Sequence, residues 1–484
     1  MNYKSMGRFI ALILLIEAAL MLPALILALC LKEGSAAEAF ALTVLLALLL
    51  GGVLFLLTRG ARQEFHEKEG LACTGLSWLT MSIIGCLPFY ISRQIPSFVD
   101  ALFETASGFS TTGASVLSDV EALSKSLLYW RSFTHWIGGM GVLVFLLALN
   151  PGGGKSSGFT MHLMRAESPG PSVGKLVPQI KKTARILYLI YIGLTVLDFL
   201  FLWTGGMSVF EAVCIAVGTA GTGGFAVTNS GLGGYSPYLQ NVTTVFMLLF
   251  GINFSCYYLI LKGKVKDVLK DEELRSFLII VLLSVVGIVA CIRPSCSSFG
   301  ESLRLAFFQV ASLSSTTGFA TADFELWPSF AKGILLFMTV MGACAGSTCG
   351  GMKLGRLMLL VKNLKRNLRQ MLRPSRVSPV RINRQPVSEE VLMNVNTYLA
   401  AYVVILFASF FVLTLDGFDI TTSFTAALTC FNNVGPGLGA VGPTGNFGDF
   451  SILSKLVLIF DMLAGRLEIF PVLALFSRHC WSHR

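Results

Sequence analysis

Four short glycine turns recur along this 484-residue chain, each behind a half-length helix-like run and ahead of a long apolar run. If Gly113, Gly224, Gly318 and Gly435 are equivalent, the turns are separated by 111, 94 and 117 residues. Glycine permits backbone conformations that aim carbonyl oxygens at a common axis, and such oxygens can replace the hydration shell of an ion. The pattern therefore predicts an ion-selectivity filter built from four repeats on one chain.

The predicted ion ligands are backbone carbonyl oxygens of these turns. One such turn would favour an ordinary tight turn at a helix end, but four in the same topological position favour a filter. None of them contains a long Thr-Val-Gly-Tyr-Gly run, so we expect fewer well-formed ion sites and looser selectivity. The predicted cation-binding residues are Ser110, Thr111, Thr112, Gly113, Gly221, Thr222, Gly223, Gly224, Ser315, Thr316, Thr317, Gly318, Asn432, Asn433, Val434 and Gly435.

The composition excludes an ordinary soluble protein. The mean hydropathy is +0.72, 54 % of the residues are hydrophobic and only 13 % are charged. Apolar runs of about 20 residues cross a bilayer as helices. The first run, 9–31, has no small-residue cleavage site and is expected to remain as a helix. Ten spanning helices are predicted, at 8–31, 36–58, 71–92, 127–149, 184–204, 238–261, 274–293, 329–365, 393–415 and 452–477.

The runs group into an all-α polytopic membrane fold with a two-helix N-terminal hairpin and four pseudo-repeats around one central pore. Each repeat consists of a helix, a short re-entrant pore helix with its glycine turn, and a second helix. Turns of this kind are tolerated at membrane depth where they face protein and a wet cavity. The re-entrant runs are predicted at 99–109, 208–220, 301–314 and 421–431, and the units at 1–70 (hairpin), 71–150, 151–265, 266–375 and 376–484.

The net charge of +10 is concentrated in alternate loops. The densest stretch, 353–384, holds ten Lys or Arg, whereas acids outnumber bases in the intervening loops. This asymmetry predicts that the basic loops and both termini are cytoplasmic. The acids of the opposite loops would raise the local cation concentration. Aromatic residues do not interleave with the basic ones, so we expect no nucleic-acid partner. The basic stretch could dock a cytoplasmic protein or contact anionic membrane lipid.

A glycine-rich stretch interrupts the apolar run of the third repeat. Glycine costs a helix about 1 kcal/mol relative to alanine, so this stretch predicts an unwound intramembrane loop that gates the filter from below. Close helix packing through small residues is the alternative. Arg466, near the middle of the last span, either forms a salt bridge with Asp461 or Glu468 or places its charge below the filter as a barrier. The remaining predicted gating residues are Gly342, Ala343, Cys344, Ala345, Gly346, Ser347, Thr348, Cys349, Gly350 and Gly351.

Two glycine motifs are misleading. GLGAVG at 437–442 follows a re-entrant run instead of a strand, and the GKS at 154–156 lacks the first glycine of a phosphate-binding loop, where Leu149 stands. We expect no nucleotide on this chain. Catalytic and metal-ligand constellations are missing from the sequence, so we expect no enzyme. A secondary transporter of another small solute is the alternative function, although four repeats of one orientation argue against inverted repeats.

Four segments make the sequence recognisable. YWRSFTHWIGGMG at 129–141, SPGP at 168–171, NVGPG at 433–437 and GRLEIF at 465–470 resemble signatures of the Trk/Ktr/HKT-type potassium uptake proteins. The resemblance covers essentially the whole chain, and the extra N-terminal hairpin resembles the TrkH branch. His135 departs from the glutamine that is common at this position, and we assign it no function.

The resemblance implies potassium translocation across the bacterial inner membrane, with K⁺ as the bound and transported ion. It also implies a homodimer and a cytoplasmic TrkA-like ring of nucleotide-binding regulatory subunits. In this family a glycine in the first filter turn accompanies potassium preference and a serine accompanies sodium. Gly113 therefore implies potassium.

Overall fold

The structure, a computed structural model, describes residues 3–60, 67–141, 180–373 and 378–481. It begins with a hairpin of two helices, Tyr3–Cys30 and Gly34–Leu57. Leucines of the second helix are largely exposed, as expected of a face that meets lipid. In the hairpin turn, the Glu33 carboxylate accepts hydrogen bonds from the backbone N–H groups of Lys125 at 2.9 Å and Ser126 at 3.1 Å. The hairpin is thereby attached to the first repeat.

The first helix of every repeat is long. Among the described residues, six helices are long and apolar enough to cross a membrane, namely the two of the hairpin and one from each repeat. The first of the four is continued by a short helix, Leu87–Ile91. The four repeat helices are Glu67–Gly85, Ile180–Thr204, Glu272–Ile292 and Glu389–Leu413.

A half-length helix follows in every repeat, and all four begin with the same cap. The N-cap side chain accepts a hydrogen bond from the backbone N–H three residues later, and in three repeats that later residue is Asp or Glu. This arrangement satisfies a backbone donor that the helix itself leaves without a partner. The helices are Phe98–Phe109, Val209–Gly221, Phe299–Ser314 and Ile420–Phe431, with N-caps Ser97, Ser208, Ser298 and Asp419.

The second helix of every repeat is too short to span a membrane, and in the second, third and fourth repeats it is followed by a break and a further helix, whereas the sequence predicted a break only in the third. Residues 142–149 of the predicted span 127–149 lie outside the described residues. About 20 residues are needed to cross the hydrocarbon, and these helices have 13 or 15. The second is followed, after a bend of 89°, by the helix Phe254–Leu261. The third continues after a loop as Leu354–Leu372, and the fourth as Phe470–Phe476. The four helices are Lys125–Gly139, Pro237–Gly251, Ser329–Met341 and Ile452–Arg466.

The predicted fold class is confirmed as an all-α polytopic membrane fold with an N-terminal hairpin and four pseudo-repeats around one central pore. The largest buried cluster joins the hairpin to the first and fourth repeats. The remaining helices and strands are minor: the helices Val265–Leu269 and Arg478–Trp481 and a strand pair, Arg381–Ile382 with Gln385–Pro386. The proposed unit boundaries stay predictions, and those after residues 150 and 375 lie outside the described residues.

Candidate ion pore

Each half-length helix ends in the same left-handed turn. Thr111, Thr222, Thr316 and Asn433 have φ between +53° and +58°. Their N–H groups bond to the carbonyl three residues back, and each following N–H bonds to the carbonyl five residues before it, at 2.8–3.2 Å. Paired bonds of this kind define a helix end at which glycine normally takes the left-handed position. A left-handed non-glycine residue costs about 1–3 kcal/mol, so the surrounding packing must fix these turns.

The glycine two residues further on brings each turn against the next. A Cβ atom on Gly113 would lie 2.7 Å from the amide nitrogen of Gly224, closer than real Cβ atoms come to such atoms. The contacts run in one direction and close on themselves. A Cβ atom on Gly224 would lie 2.5 Å from Thr317 O, and one on Gly318 would lie 2.0 Å from Val434 O. A Cβ atom on Gly435 would lie 2.8 Å from Thr112 O of the first turn. The four turns therefore form a closed ring, called the glycine ring below, in the order one, two, three, four.

Hydroxyl and amide groups brace the glycine ring. Ser110 Oγ lies 2.7 Å from Thr112 Oγ1, and Ser315 Oγ lies 2.7 Å from Thr317 Oγ1. Asn433 Nδ2 donates to Thr112 Oγ1 at 3.1 Å, which joins the fourth turn to the first. The equivalent positions of repeats one and three thus share the same side-chain contact.

The ring carries negative potential without carrying charged side chains. All four half-length helices direct their carboxyl ends at it, and each such end holds about half a negative charge. The turns offer carbonyl, hydroxyl and amide oxygens only. In the described part of the chain no group of three or more His, Cys, Asp or Glu could hold a metal ion. Neutral oxygens of this kind suit a weakly held monovalent cation better than a transition metal.

Three acids in or beside the half-length helices are engaged in ion pairs. The buried Glu104 carboxylate contacts Arg131 at 2.5 Å, and Asp100 contacts Lys455 at 2.6 Å. Glu325 contacts Lys332 at 3.1 Å. Their charge is therefore largely compensated, which weakens the predicted contribution of these acids to cation attraction. By contrast, hydrogen bonds from Thr422 lower the pKa of the exposed Asp419 carboxyl, which favours its charged form.

The stretch 342–351, called the central loop below, lies against the ring. Thr222 Oγ1 donates to Thr348 O at 3.1 Å. Gly350 N donates to Thr316 Oγ1 at 2.7 Å. A Cβ on Gly350 would lie 2.6 Å from the carbonyl oxygen of Asn432. The left-handed threonines of the second and third turns thus hold the loop directly, and the loop packs on the fourth turn.

The other side of the central loop is held by neighbouring helix ends. Ala345 N donates to Glu273 Oε1 at 2.7 Å. Cys344 N donates to Gly251 O at 3.2 Å, and Phe254 N donates to Gly346 O at 3.0 Å. Most of the loop is buried, and only Gly346 is exposed. An unwound segment in this position satisfies its backbone groups through protein contacts, as a membrane interior requires.

Arg466 bridges the central loop and the first repeat. Its guanidinium donates to Thr348 O at 2.7 Å and to the carbonyls of Gly138 and Gly139 at 2.5 Å each. Of the two acids proposed as its partners, Glu468 forms an ion pair with Arg356, and Asp461 accepts a hydrogen bond from Ser409. The positive charge thus lies at the breaks in the second helices, next to the loop.

Sequence reasoning missed three residues around the loop. Lys353 is buried, has φ +69° and donates from Nζ to Cys349 O. Glu273 and Asn253 hold the loop from outside, and a Cβ on Gly346 would lie 2.9 Å from Asn253 Oδ1. One signal was available: the acids 271–273 stand in a loop that is otherwise basic. Nothing in the local sequence marks Asn253 or Lys353 as different from other loop residues.

His135 is a structural residue of the ring. Its Nδ1 lies 2.8 Å from Gly108 O, and its ring packs 4.2 Å from that of Phe225. A Cβ on Gly223 would lie 2.3 Å from His135 Nδ1. The imidazole thereby fills the space between the first half-length helix and the second turn.

Comparisons with known proteins agree with this architecture. The family model TrkH, described as cation transport protein, matches residues 36–482. The chain belongs to the TrkH family. The Trk system potassium uptake protein TrkH of Escherichia coli (strain K12) is 34 % identical over 487 residues, covering 99 % of this chain and 100 % of the relative. TrkG of the same strain, also a Trk system potassium uptake protein, is 34 % identical over 472 residues and 95 % of each chain.

A solved structure shares the TrkH-family fold. The crystal structure of the potassium transporter TrkH from Vibrio parahaemolyticus superposes with a TM-score of 0.89 at 32 % identity, covering 100 % of both chains. Three of the four TrkH-like sequence segments lie in the broken helices and the fourth turn, and the SPGP at 168–171 lies outside the described residues. The GKS at 154–156 lies outside them too, and the GLGAVG at 437–442 lies in an outer loop with a short 3₁₀ turn, Gly439–Val441.

Proposed function

We propose that this chain conducts potassium ions across the membrane through the glycine ring. The observation that carries the proposal is the closed contact sequence of four left-handed turns, each at the carboxyl end of a half-length helix. Converging helix ends and neutral oxygens stabilise a dehydrated monovalent cation. Potassium is the proposed ion because the relatives are named potassium uptake proteins and because residue 113 is glycine.

The central loop and Arg466 are the proposed gate. The loop contacts three turns of the ring, and the guanidinium adds a positive charge at the same level. A cation that leaves the ring would have to pass this charge, which costs free energy where water is scarce. Release of the loop from Thr222 and Thr316 would move both obstacles together, since Thr348 O is bonded to Arg466 as well as to Thr222.

The chain is proposed to act as a non-enzymatic subunit of a larger Trk assembly. Relatives named as parts of a Trk system support an association with other Trk components. The homodimer and the cytoplasmic TrkA-like nucleotide-binding ring that moves the loop are proposed from the resemblance of the sequence motifs to this family. The basic 353–384 stretch, which directly follows the loop, is the proposed docking element. The charge asymmetry supports an orientation with both termini in the cytoplasm. The proposed location is the bacterial inner membrane. K⁺ would bind to the ring, and no nucleotide to this chain.

The test is rubidium uptake into liposomes that contain the purified chain, with potassium or sodium as competitor. Uptake that potassium suppresses and sodium suppresses poorly is expected. Equal suppression by both ions would contradict a potassium-selective ring. Saturable flux of a non-cation, with no rubidium uptake, would favour the secondary transporter instead.

If the wild-type chain shows no rubidium uptake, a deletion variant distinguishes a closed gate from a wrong substrate. Deletion of 345–348 removes the loop carbonyl that bonds Thr222 and Arg466 and is expected to raise rubidium flux. Its folding is checked by monodisperse elution and cooperative thermal unfolding. A folded deletion variant that shows no rubidium uptake would refute both the gate and the potassium proposal.

A further inference from the structure

Residues 254–270, called the surface segment below, leave the transmembrane bundle sideways. The helix Pro237–Gly251 is bent by 89° against the helix Phe254–Leu261, so the latter runs across the direction of the span. A second short helix, Val265–Leu269, follows. The span Glu272–Ile292 begins immediately afterwards and returns into the bundle. The surface segment therefore connects the helix Pro237–Gly251 to the span Glu272–Ile292.

The depth of the surface segment follows from its hydrogen bonds. Phe254 N donates to Gly346 O, and the neighbouring Ala345 donates to Glu273, in the first turn of a spanning helix. The start of the surface segment is thus level with the end of a span. A helix that lies across the span direction at this level lies at the boundary between hydrocarbon and headgroups.

The surface segment combines exposed apolar side chains with positive charge. Leu261 is 71 % exposed and Leu269 is 67 % exposed, with Ile260 and Val265 also exposed. Four lysines and one aspartate stand between positions 262 and 270, a net charge of +3. Cys256, Val268 and Leu274 form a small buried cluster that holds the segment to the bundle. The lysines are Lys262, Lys264, Lys266 and Lys270, all of them exposed.

This chemistry matches an anionic phospholipid. Exposed leucine and isoleucine enter the acyl boundary, while lysine stems extend along apolar surface and keep their ammonium groups at the headgroup level. Lys262 Nζ already lies 4.6 Å above the ring of Tyr258, an aromatic residue of the kind favoured at membrane interfaces. The exposed leucines lie level with the end of the span, at the edge of the hydrocarbon. A soluble protein partner bound there would keep them from contacting lipid.

The surface segment is connected to the central loop at its first residues. Asn253 Oδ1 accepts from Ser255 N at 2.9 Å and thereby caps the helix Phe254–Leu261. The same side chain packs against Gly346, and Phe254 N holds the Gly346 carbonyl. Tilting of this helix would therefore pull directly on the exposed tip of the loop.

We propose that the surface segment binds the headgroups of anionic phospholipids and, through Asn253, adjusts the position of the central loop. The binding site stands on the contacts described here, whereas its effect on ion flux rests on the proposed function. Bound anionic lipid fixes the segment at the membrane surface, and neutral lipid leaves it less firmly held. Ion flux then depends on the anionic lipid fraction.

Binding is tested by native mass spectrometry of the full chain with dioleoyl phosphatidylglycerol or dioleoyl phosphatidylcholine. The variant Lys262→Gln/Lys264→Gln/Lys266→Gln/Lys270→Gln is expected to bind phosphatidylglycerol roughly ten-fold or more weakly, with phosphatidylcholine binding unchanged. Lys365→Gln/Arg366→Gln/Arg369→Gln/Arg373→Gln removes four other cations and serves as the matched control. Phosphatidylglycerol binding that survives the first variant overturns the site, and a loss confined to the control relocates it to the helix Leu354–Leu372.

Coupling is tested by rubidium uptake into liposomes with increasing phosphatidylglycerol content. The wild-type flux is expected to change several-fold across the series, and the four-lysine variant to lose that response. Asn253→Ala is expected to keep lipid binding and lose the response, which Asn253→Ser restores by keeping a capping oxygen. An unchanged response in Asn253→Ala overturns the coupling. No flux from any of these chains or from the folded 345–348 deletion variant, with phosphatidylglycerol binding still lost in the four-lysine variant, refutes the transport function and leaves the lipid site standing.

Discussion

Threonine in a left-handed conformation is the residue-scale signature of this pore. Thr111, Thr222 and Thr316 all adopt it, although β-branched side chains disfavour it. In return, the turn directs the hydroxyls of Thr222 and Thr316 at the central loop and brings Gly113 and Gly318 against neighbouring turns. The strain is thus located in the turns that form the glycine ring and carry the proposed ion-binding oxygens.

The first prediction concerns Gly113→Ser. The new Cβ would lie 2.7 Å from Gly224 N at φ +80°, so the first and second turns must separate. We expect sodium to compete more strongly with rubidium uptake in this variant. Gly206→Ser is the control, because Gly206 also has positive φ but no atom within 4 Å of its Cβ position. Unchanged potassium preference in folded Gly113→Ser would argue against a role of the ring in selectivity.

The second prediction concerns the buried ion pair of Glu104 and Arg131. Arg131→Met leaves the Glu104 carboxylate buried without its cation and is expected to destabilise the protein by about 3–5 kcal/mol. The double variant Glu104→Gln/Arg131→Met should lose less stability, because it leaves no buried charge without a partner. Lys332→Met breaks a partly exposed pair and should cost at most about 1 kcal/mol. Thermal unfolding in detergent measures the stability of all three variants. Equal losses of stability would show that burial of the ion pair does not control the cost of breaking it.

At the scale of elements, the four short second helices explain how a loop fits beneath the ring. Each of them ends after 13 or 15 residues. Arg466 joins the ends of the first and fourth, and the bond from Cys344 N to Gly251 O joins those of the second and third. In the first and fourth repeats a glycine lets the second helix touch its own half-length helix. A Cβ atom on Gly138 would lie 1.8 Å from Phe109 O, and a Cβ atom on Gly465 would lie 2.0 Å from Phe431 O. The space below the ring is therefore bounded by helix ends.

The third prediction tests how the loop is held. Thr316→Val keeps the side-chain shape and removes the acceptor of the Gly350 N–H bond. A buried hydrogen bond contributes about 1 kcal/mol, so loop release should become roughly five-fold easier and basal rubidium flux should rise. Thr111→Val is the matched control, because among the described residues the Thr111 hydroxyl has no hydrogen-bond partner. Equal flux in the two variants would exclude this bond as a restraint.

At the scale of the whole molecule, the ring closes within one chain. The fourth turn contacts the first through Gly435 and Thr112, and Phe447 N donates to Ser115 O at 2.8 Å across the same boundary. Outer loops of the first and second repeats are joined through Asn229. Every repeat thus contacts its two neighbours, and one subunit is expected to hold a complete pore.

The fourth prediction follows from this closure. Wild-type and Gly113→Ser chains, co-expressed and reconstituted together, should behave as two independent populations. Sodium inhibition of rubidium uptake should equal the weighted sum of the two pure preparations, even if the chains associate as dimers. A third population with intermediate sodium sensitivity would mean that one pore is shared between subunits.

The amino-acid sequence determined the membrane class, the hairpin and the four-repeat order, because hydropathy and glycine turns are local properties of a chain. The half-length helices were predicted to within about two residues, since their ends coincide with Ser, Asp and Gly signals that cap and terminate helices. The equivalence of the four key glycines also followed from spacing. All four stand two residues after a left-handed residue.

Tertiary structure alone decided how the ring closes and what holds the loop. The ion-pair partner of Glu104 lies 27 positions away in sequence, the partner of Thr316 lies 34 away and those of Arg466 up to 328 away, beyond the reach of any local pattern. The end of the second helix of repeat one at Gly139 and the breaks in the second helices of repeats two and four were missed, because the apolar composition continues past these points. In repeats one and two, other repeats satisfy the carbonyls at these helix ends, since Gly138 O and Gly139 O accept from Arg466 and Gly251 O accepts from Cys344 N. A lipid-exposed helix would have to satisfy such groups within itself.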